Sequence, residues 1–331
     1  MRILAIVNTF QFDAMHQYFL NNLNQWSNQN IPYDWHLDVV VSDVLGTPEF
    51  RRLLALDLEN RNTANKRFWS VQFNENNPVY VTFNLCIKHF NKTGEYDYYI
   101  YCSEDCVMSS ASDLVTIIRD SKYHPNTGHV SVLVDNDNTN SYHHYNAYDP
   151  NGHPMIVALT ESINMHFSVW TNFFMKKYDF KYVDIINAYA TESIYTFLNA
   201  AIGTKWVHCR KVRLQHQRCH KQKGYLGYDT FRNFRDLESI FGPGVPLGLG
   251  FECWMDMIPE ERKKAKPWDP LRFCHMPNRK AYSKETGECK QPEKLYQYIK
   301  ENLFVPKSVF DYDQEINKIH VIPQEKASAK N

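Results

Sequence analysis

The opening of the chain limits its fold most. A short apolar run, 2–7 (RILAIV), is broken by polar Asn8-Thr9, a stretch of helical spacing follows, and a second strand pattern, His36 to Val41, closes on Ser42-Asp43. Met15, Phe19, Leu20 and Leu23 recur at the spacing of one helix face, Asp13 stands where an N-cap belongs, and the helix should end near residue 26. A strand, a helix and a second strand in that order predict parallel pairing through a right-handed crossover. Parallel strands bring their C-terminal ends to one sheet edge, where open α/β sheets bind ligands. Asn8, Thr9 and Asp43 fall on that edge.

The alternation continues. A polar helix or loop spans 48–66, a strand 68–73, an Asn-rich turn 74–78 and a helix 79–90. The aromatic run 96–102 reads as a strand and leads straight into Ser103-Glu104-Asp105. Beyond it come a helix at 111–121, a strand at 129–134, a polar loop at 135–153, a strand at 155–160 and a helix at 167–177. A strand near 181–186, a helix at 191–201 and a strand at 205–214 complete the pattern before the Gly/Pro-rich stretch 241–250. The expected architecture is one α/β domain, 1–250, with a central, mostly parallel, Rossmann-like sheet flanked by helices. Its first half, 1–105, holds the nucleotide-type sheet edge, and 106–250 forms the other half. Residues 251–331 form a C-terminal extension with a helix at 293–303 and a loose tail after Val321.

Thirty-seven basic and 37 acidic side chains cancel, which removes any global argument for a polyanionic partner. No segment is long enough for a membrane span, and the apolar start is too short for a secretion signal. The eight cysteines therefore read as reduced thiols, and a cytoplasmic setting is expected.

Carboxylates on a turn at a sheet edge can hold a divalent cation without a buried, uncompensated charge, which makes Asp105 the first candidate ligand. The same acidic pair serves equally well as an N-cap for the following helix. Glu192 opens a helix beside a polar loop, and the late β-forming stretch ends on His216.

The order of strand with Asn8-Thr9, strand with Asp43, Asn-rich turn, strand with Ser-Glu-Asp, helix on Thr-Glu-Ser and late strand ending in His resembles a GT-A glycosyltransferase over roughly residues 1–220. Bacterial, viral and phage enzymes share this organisation. The resemblance implies transfer of a sugar from a nucleotide-sugar donor, first a UDP-sugar, to a hydroxyl acceptor. Asp105 would correspond to the last acid of an Asp-X-Asp motif and hold Mn²⁺ or Mg²⁺ with His216, while Glu104 would lie beside the ribose or donor sugar. The chain departs from that motif at Ser103, which leaves one matching carboxylate. Glu192 would be the catalytic base of an inverting reaction. Asn8, Thr9 and Asp43 would serve the base and ribose, and the 141–153 loop and Trp170 the acceptor.

Two other readings compete. The stretch 205–224 carries seven Lys or Arg and three His with no acid, so DNA is an alternative acceptor, as for phage enzymes that modify hydroxymethylated bases; a glycan is favoured. If the source is viral, the setting is the host cytoplasm. A zinc-stabilised nucleic-acid-binding module would use Cys209, His216, Cys219, His220, Cys274, His275 and Cys289, but no CxxC pair supports it. A dinucleotide-binding reading fails because NTFQFD, not a glycine-rich turn, follows the first strand.

Overall fold

The computed structural model describes residues 1–75, 79–135, 149–156, 166–177, 199, 203–217 and 312–322. The first strand, β1 (Arg2–Phe10), has seven consecutive buried residues, the pattern of a strand covered on both faces. Alternate residues serve the two faces: Ile3, Ala5 and Val7 belong to one continuous core with Phe19, Leu23 and Trp26 of α1 (Gln17–Asn28). That core extends to Phe50, Leu54 and Leu58 of α2 (Pro48–Glu59) and to Leu114, Ile117 and Ile118 of α4 (Asp113–Ser121). The opposite face is covered by α3 (Val79–Phe90), whose Phe83 packs edge-on against Trp170 at 5.5 Å between ring centroids. Burying a Leu or Phe side chain contributes about 1.5–3 kcal/mol, so these two apolar layers dominate the stability of the sheet.

β1 lies parallel to β2 (His36–Val44) and to β4 (Tyr98–Ser103), and β2 lies parallel to β3 (Lys66–Phe73). Beyond this parallel block the sheet is mixed. β8 (Phe167–Thr171) runs antiparallel between β4 and β6 (Thr127–Asp135), and β6 pairs in parallel with β9 (Lys205–His216). The short strands β5 (Cys106–Met108) and β7 (Met155–Ile156) both lie antiparallel to β9. With β10 (His320–Ile322) at the far edge, ten strands run in the order β10-β3-β2-β1-β4-β8-β6-β9-β5, with β7 also on β9.

The expected helix at 167–177 is instead β8 followed by the short helix α5 (Asn172–Lys177). The run Phe167–Trp170 is wholly buried between two strands, so ladder pairing overrides its helical spacing. Asp13 does not cap α1. The helix starts at Gln17 with His16 in the cap position, because buried Phe12 anchors the preceding loop against Phe19 and Phe50 and leaves Asp13 exposed. At the other end of the chain, His320–Ile322 pairs with β3, so this part of the C-terminal extension edges the half formed by 1–105. The strand near 181–186 and the helices at 191–201 and 293–303 lie outside the described residues, apart from a helical Asn199. Among the described residues no helix is long and apolar enough to cross a membrane.

Candidate functional site

Strand register sets the site. Asn8 stands beside Ser42 on one side and Ser103 on the other, and Thr9 stands beside Asp43. The C-terminal ends of β1, β2 and β4 thus form one edge, as expected. Two left-handed, non-glycine residues, Gln11 (φ 52°) and Leu45 (φ 57°), follow β1 and β2 there, and such backbone conformations persist only where surrounding structure imposes them.

The three residues expected at the nucleotide are enclosed. Thr9 donates its hydroxyl to the Ser42 carbonyl at 3.4 Å, and Asn8 accepts from the Thr82 hydroxyl at 3.3 Å. Asp43 is inaccessible to solvent. It accepts from Arg51 Nε at 2.6 Å and from the Gly46 amide at 3.1 Å. A side chain at position 46 would collide with that carboxylate, which is why this turn carries glycine. Arg51 also donates to the Phe73 carbonyl (3.0 Å) and the Asn74 side chain (2.7 Å), tying the ends of β2 and β3 together. Burial raises the Asp43 carboxyl above its ordinary range, and Arg51 opposes the rise. Sequence reasoning missed Arg51, one basic residue on an amphipathic helix.

The acidic turn is built by two strands distant in sequence. β4 ends at Ser103, the chain turns through Glu104-Asp105, and β5 begins at Cys106, directly opposite His216 at the end of β9. His216 Nε2 lies 2.9 Å from Asp105 Oδ2, and the Gln217 amide donates to the Asp105 carbonyl at 2.8 Å. Both side chains keep a small opening to solvent, 12% for Asp105 and 13% for His216, enough for a ligand to reach them. Asn22 of α1 donates its amide to the carbonyls of Ser103 (3.2 Å) and Cys106 (2.5 Å), holding the turn from behind. Glu104 is partly exposed, yet desolvation and then repulsion from Asp105 push its carboxyl up to about 8.

Two side chains at this turn were not singled out from sequence. His166, just before β8, receives the Ser103 amide on its carbonyl at 2.8 Å, and its Nδ1 lies 3.1 Å from Ser103 Oγ. Its ring lies 4.4 Å from that of His216, centroid to centroid. Cys106 is buried beside them. Proximity to Asp105 marked Cys106; nothing in the sequence marked one histidine among 14.

Other expectations separate from this centre. Trp170 is wholly buried against Phe83 and His129, so it is a core residue and offers no face to an acceptor. Cys209 pairs opposite Val132 and faces Asp120, away from His216, so those two do not share a zinc ion. Glu192, Cys219, His220, Cys274, His275, Cys289 and loop residues 141–148 lie outside the described residues.

No protein-family model and no curated protein matches the sequence. Among solved structures, the mannosyltransferase PcManGT from Pyrobaculum calidifontis, in complex with GDP-Man and Mn²⁺, is 13% identical with a TM-score of 0.55, over 96% of this chain and 78% of that one. GalNAc-T7 with UDP, GalNAc and Mn²⁺ is 11% identical with a TM-score of 0.51, over 80% of this chain and 54% of that one. S. aureus TarS is 14% identical with a TM-score of 0.49; the match covers 66% of this chain but only 37% of TarS, and 60% of its 1–349 form. At such identities the likeness is one of fold, and that fold is GT-A.

Proposed function

We propose that this GT-A chain is a glycosyltransferase that moves a sugar from a nucleotide-sugar donor to a hydroxyl acceptor, assisted by a divalent ion. The observation that carries the reading is the Asp105–His216 pair, which the pairing of β5 with β9 brings to 2.9 Å at the ligand-binding edge. That spacing suits a metal: neighbouring ligands on an octahedral ion with bonds of about 2.1 Å lie about 3.0 Å apart. A carboxylate with an imidazole suits Mn²⁺ better than Mg²⁺. The fold neighbours PcManGT and GalNAc-T7 are described with Mn²⁺ and with GDP-Man or UDP, which supports a donor of that class; UDP-sugars are our first choice.

Bound there, the ion would offset the charge of the departing diphosphate. Around it the chain's own groups divide the work. Glu104 would lie beside the donor sugar or ribose, while Asn8, Thr9 and Asp43 shape the nucleotide edge, Asp43 through its grip on Arg51. Glu192 would take the proton of the acceptor hydroxyl, which makes the transfer inverting.

A glycan or other small acceptor is favoured over DNA, because two of the basic residues of β9 are engaged by acids. Lys211 pairs with buried Asp120 at 3.3 Å, and Arg210 with Asp149 at 3.4 Å. Cations already paired with acids contribute less to a phosphate-binding track.

Thermal denaturation with UDP, GDP and their sugars, with and without Mn²⁺, tests the reading. A ligand at 100 times its Kd stabilises the native state by about 2.7 kcal/mol. One nucleotide should raise Tm, and more so with Mn²⁺; no shift with any of them refutes the proposal.

A further inference from the structure

The geometry points to a second way for the acidic turn to hold metal: Cys106, His166 and His216 form a site for a borderline-soft divalent ion of the Zn²⁺ class. One ligand atom from each of the three lies within 4.8 Å of the others. The residues come from three separate places, β5, the position just before β8 and the end of β9, so no local sequence pattern announces them.

Three features fit the ion. A tetrahedral centre with bonds of about 2.3 Å to sulfur and 2.0–2.1 Å to nitrogen holds its ligands about 3.3–3.6 Å apart, so the three atoms need to close by at most about 1.5 Å, within the reach of side-chain rotation. Each histidine also has one nitrogen facing an anchoring oxygen, His166 Nδ1 at Ser103 Oγ and His216 Nε2 at Asp105 Oδ2. This is the outer shell that orients metal-binding imidazoles and fixes which nitrogen carries the lone pair. The backbone of Cys106 is in turn pinned by Asn22, which limits how far the sulfur can drift. Asp105 completes the set either as that anchor or as the fourth ligand.

The donor set decides the ion. Thiolate and imidazole suit Zn²⁺ or Co²⁺, whereas Mg²⁺ demands oxygen. On binding, the Cys106 thiol loses its proton to solvent as the sulfur–metal bond forms, and no change of oxidation state is involved. The consequence for transfer rests on the glycosyltransferase reading: His216 belongs to both sets, so Zn²⁺ on Cys106 and Mn²⁺ with the diphosphate exclude one another.

The test is spectroscopic and uses the full chain stripped of metal. Titration with Co²⁺ should give a 1:1 complex with intense tetrahedral visible bands and a near-ultraviolet thiolate-to-cobalt band. Cys106→Ser should abolish the thiolate band and weaken Zn²⁺ by at least the roughly 10–100-fold seen on losing an outer-shell partner. Cys209→Ser should change neither. Zinc X-ray absorption on the unaltered chain covers the case in which Cys106→Ser does not fold, and should show one sulfur at about 2.3 Å beside nitrogen or oxygen at about 2.0 Å. Weak octahedral cobalt bands without a thiolate band, or a zinc shell without sulfur, would overturn the inference while leaving the Asp105–His216 reading in place. A nucleotide screen without any shift would refute the transferase reading and leave the zinc result to stand.

Discussion

Replacing Arg51 with leucine tests whether Asp43 acts through a buried ion pair or waits for a ligand. The Asp43 side chain is wholly enclosed and that of Arg51 only 19% exposed, so the substitution leaves the carboxyl with the Gly46 amide as donor. An abandoned buried charge costs about 3–5 kcal/mol. The alternative is protonation, and for a carboxyl of ordinary pKa 3.8 this costs about 5 kcal/mol at pH 7.5 but only about 2 kcal/mol at pH 5.5. The cheaper route sets the loss: about 3–5 kcal/mol at pH 7.5 and about 2 kcal/mol at pH 5.5. A further 1 kcal/mol or so at either pH comes from the hydrogen bonds to Asn74 and Phe73. The sign follows from proton binding. Without Arg51 desolvation raises the Asp43 pKa against the Gly46 amide alone, the folded chain keeps a proton that the unfolded chain releases near pH 4, and stability falls as pH rises above that point. Urea denaturation of both chains at the two pH values, without nucleotide or metal, measures it. A loss below about 1 kcal/mol at pH 7.5, or an equal loss at both pH values, would refute the argument. Combined Asp43→Asn and Arg51→Leu should recover most of the loss and flatten the pH dependence. If that chain folds but has lost the nucleotide-dependent Tm shift, Asp43 also serves the ligand.

Other expectations follow from the same geometry. Asp105→Asn should remove the Mn²⁺-dependent part of the nucleotide Tm shift and lower turnover at least about 100-fold, as loss of transition-state electrostatics commonly does; near-native turnover would exclude Asp105 from the site. Glu192→Gln should lower kcat by about 100- to 10,000-fold in a transfer assay while nucleotide and Mn²⁺ still raise Tm, the pattern of a lost general base. Asn22→Ala leaves the Ser103 and Cys106 carbonyls without their amide donor and should cost about 1–3 kcal/mol in denaturant melts; because it loosens the turn under Asp105, the Mn²⁺ increment in Tm should shrink as well.

The parallel block was legible in the sequence because its signals are local. RILAIV and the valines at 39–41 are buried on both faces and show it as short apolar runs, and the helix at 79–90 stands where its spacing placed it. The antiparallel insertion of β8 was not legible: the residues from Phe167 to Trp170 satisfy either period, and only the vacant place between β4 and β6 selects a strand. Asp13 was misread as a cap because the burial of Phe12, which fixes the loop, depends on Phe19 and Phe50.

For the site, the chain's own order of residues determined which groups end up on the sheet edge. Asn8, Thr9, Asp43 and Ser103 stand at strand ends, and in a parallel sheet those ends align by construction. Tertiary structure decided what each can do there. It closed Asp43 onto Arg51, withdrew Trp170 into the core and joined Asp105 to His216, 111 residues away, through the pairing of β5 with β9. It also brought Cys106 and His166 to the same point, because ligand geometry is a property of distances in space, and sequence spacing fixes such distances only within a single helix or strand.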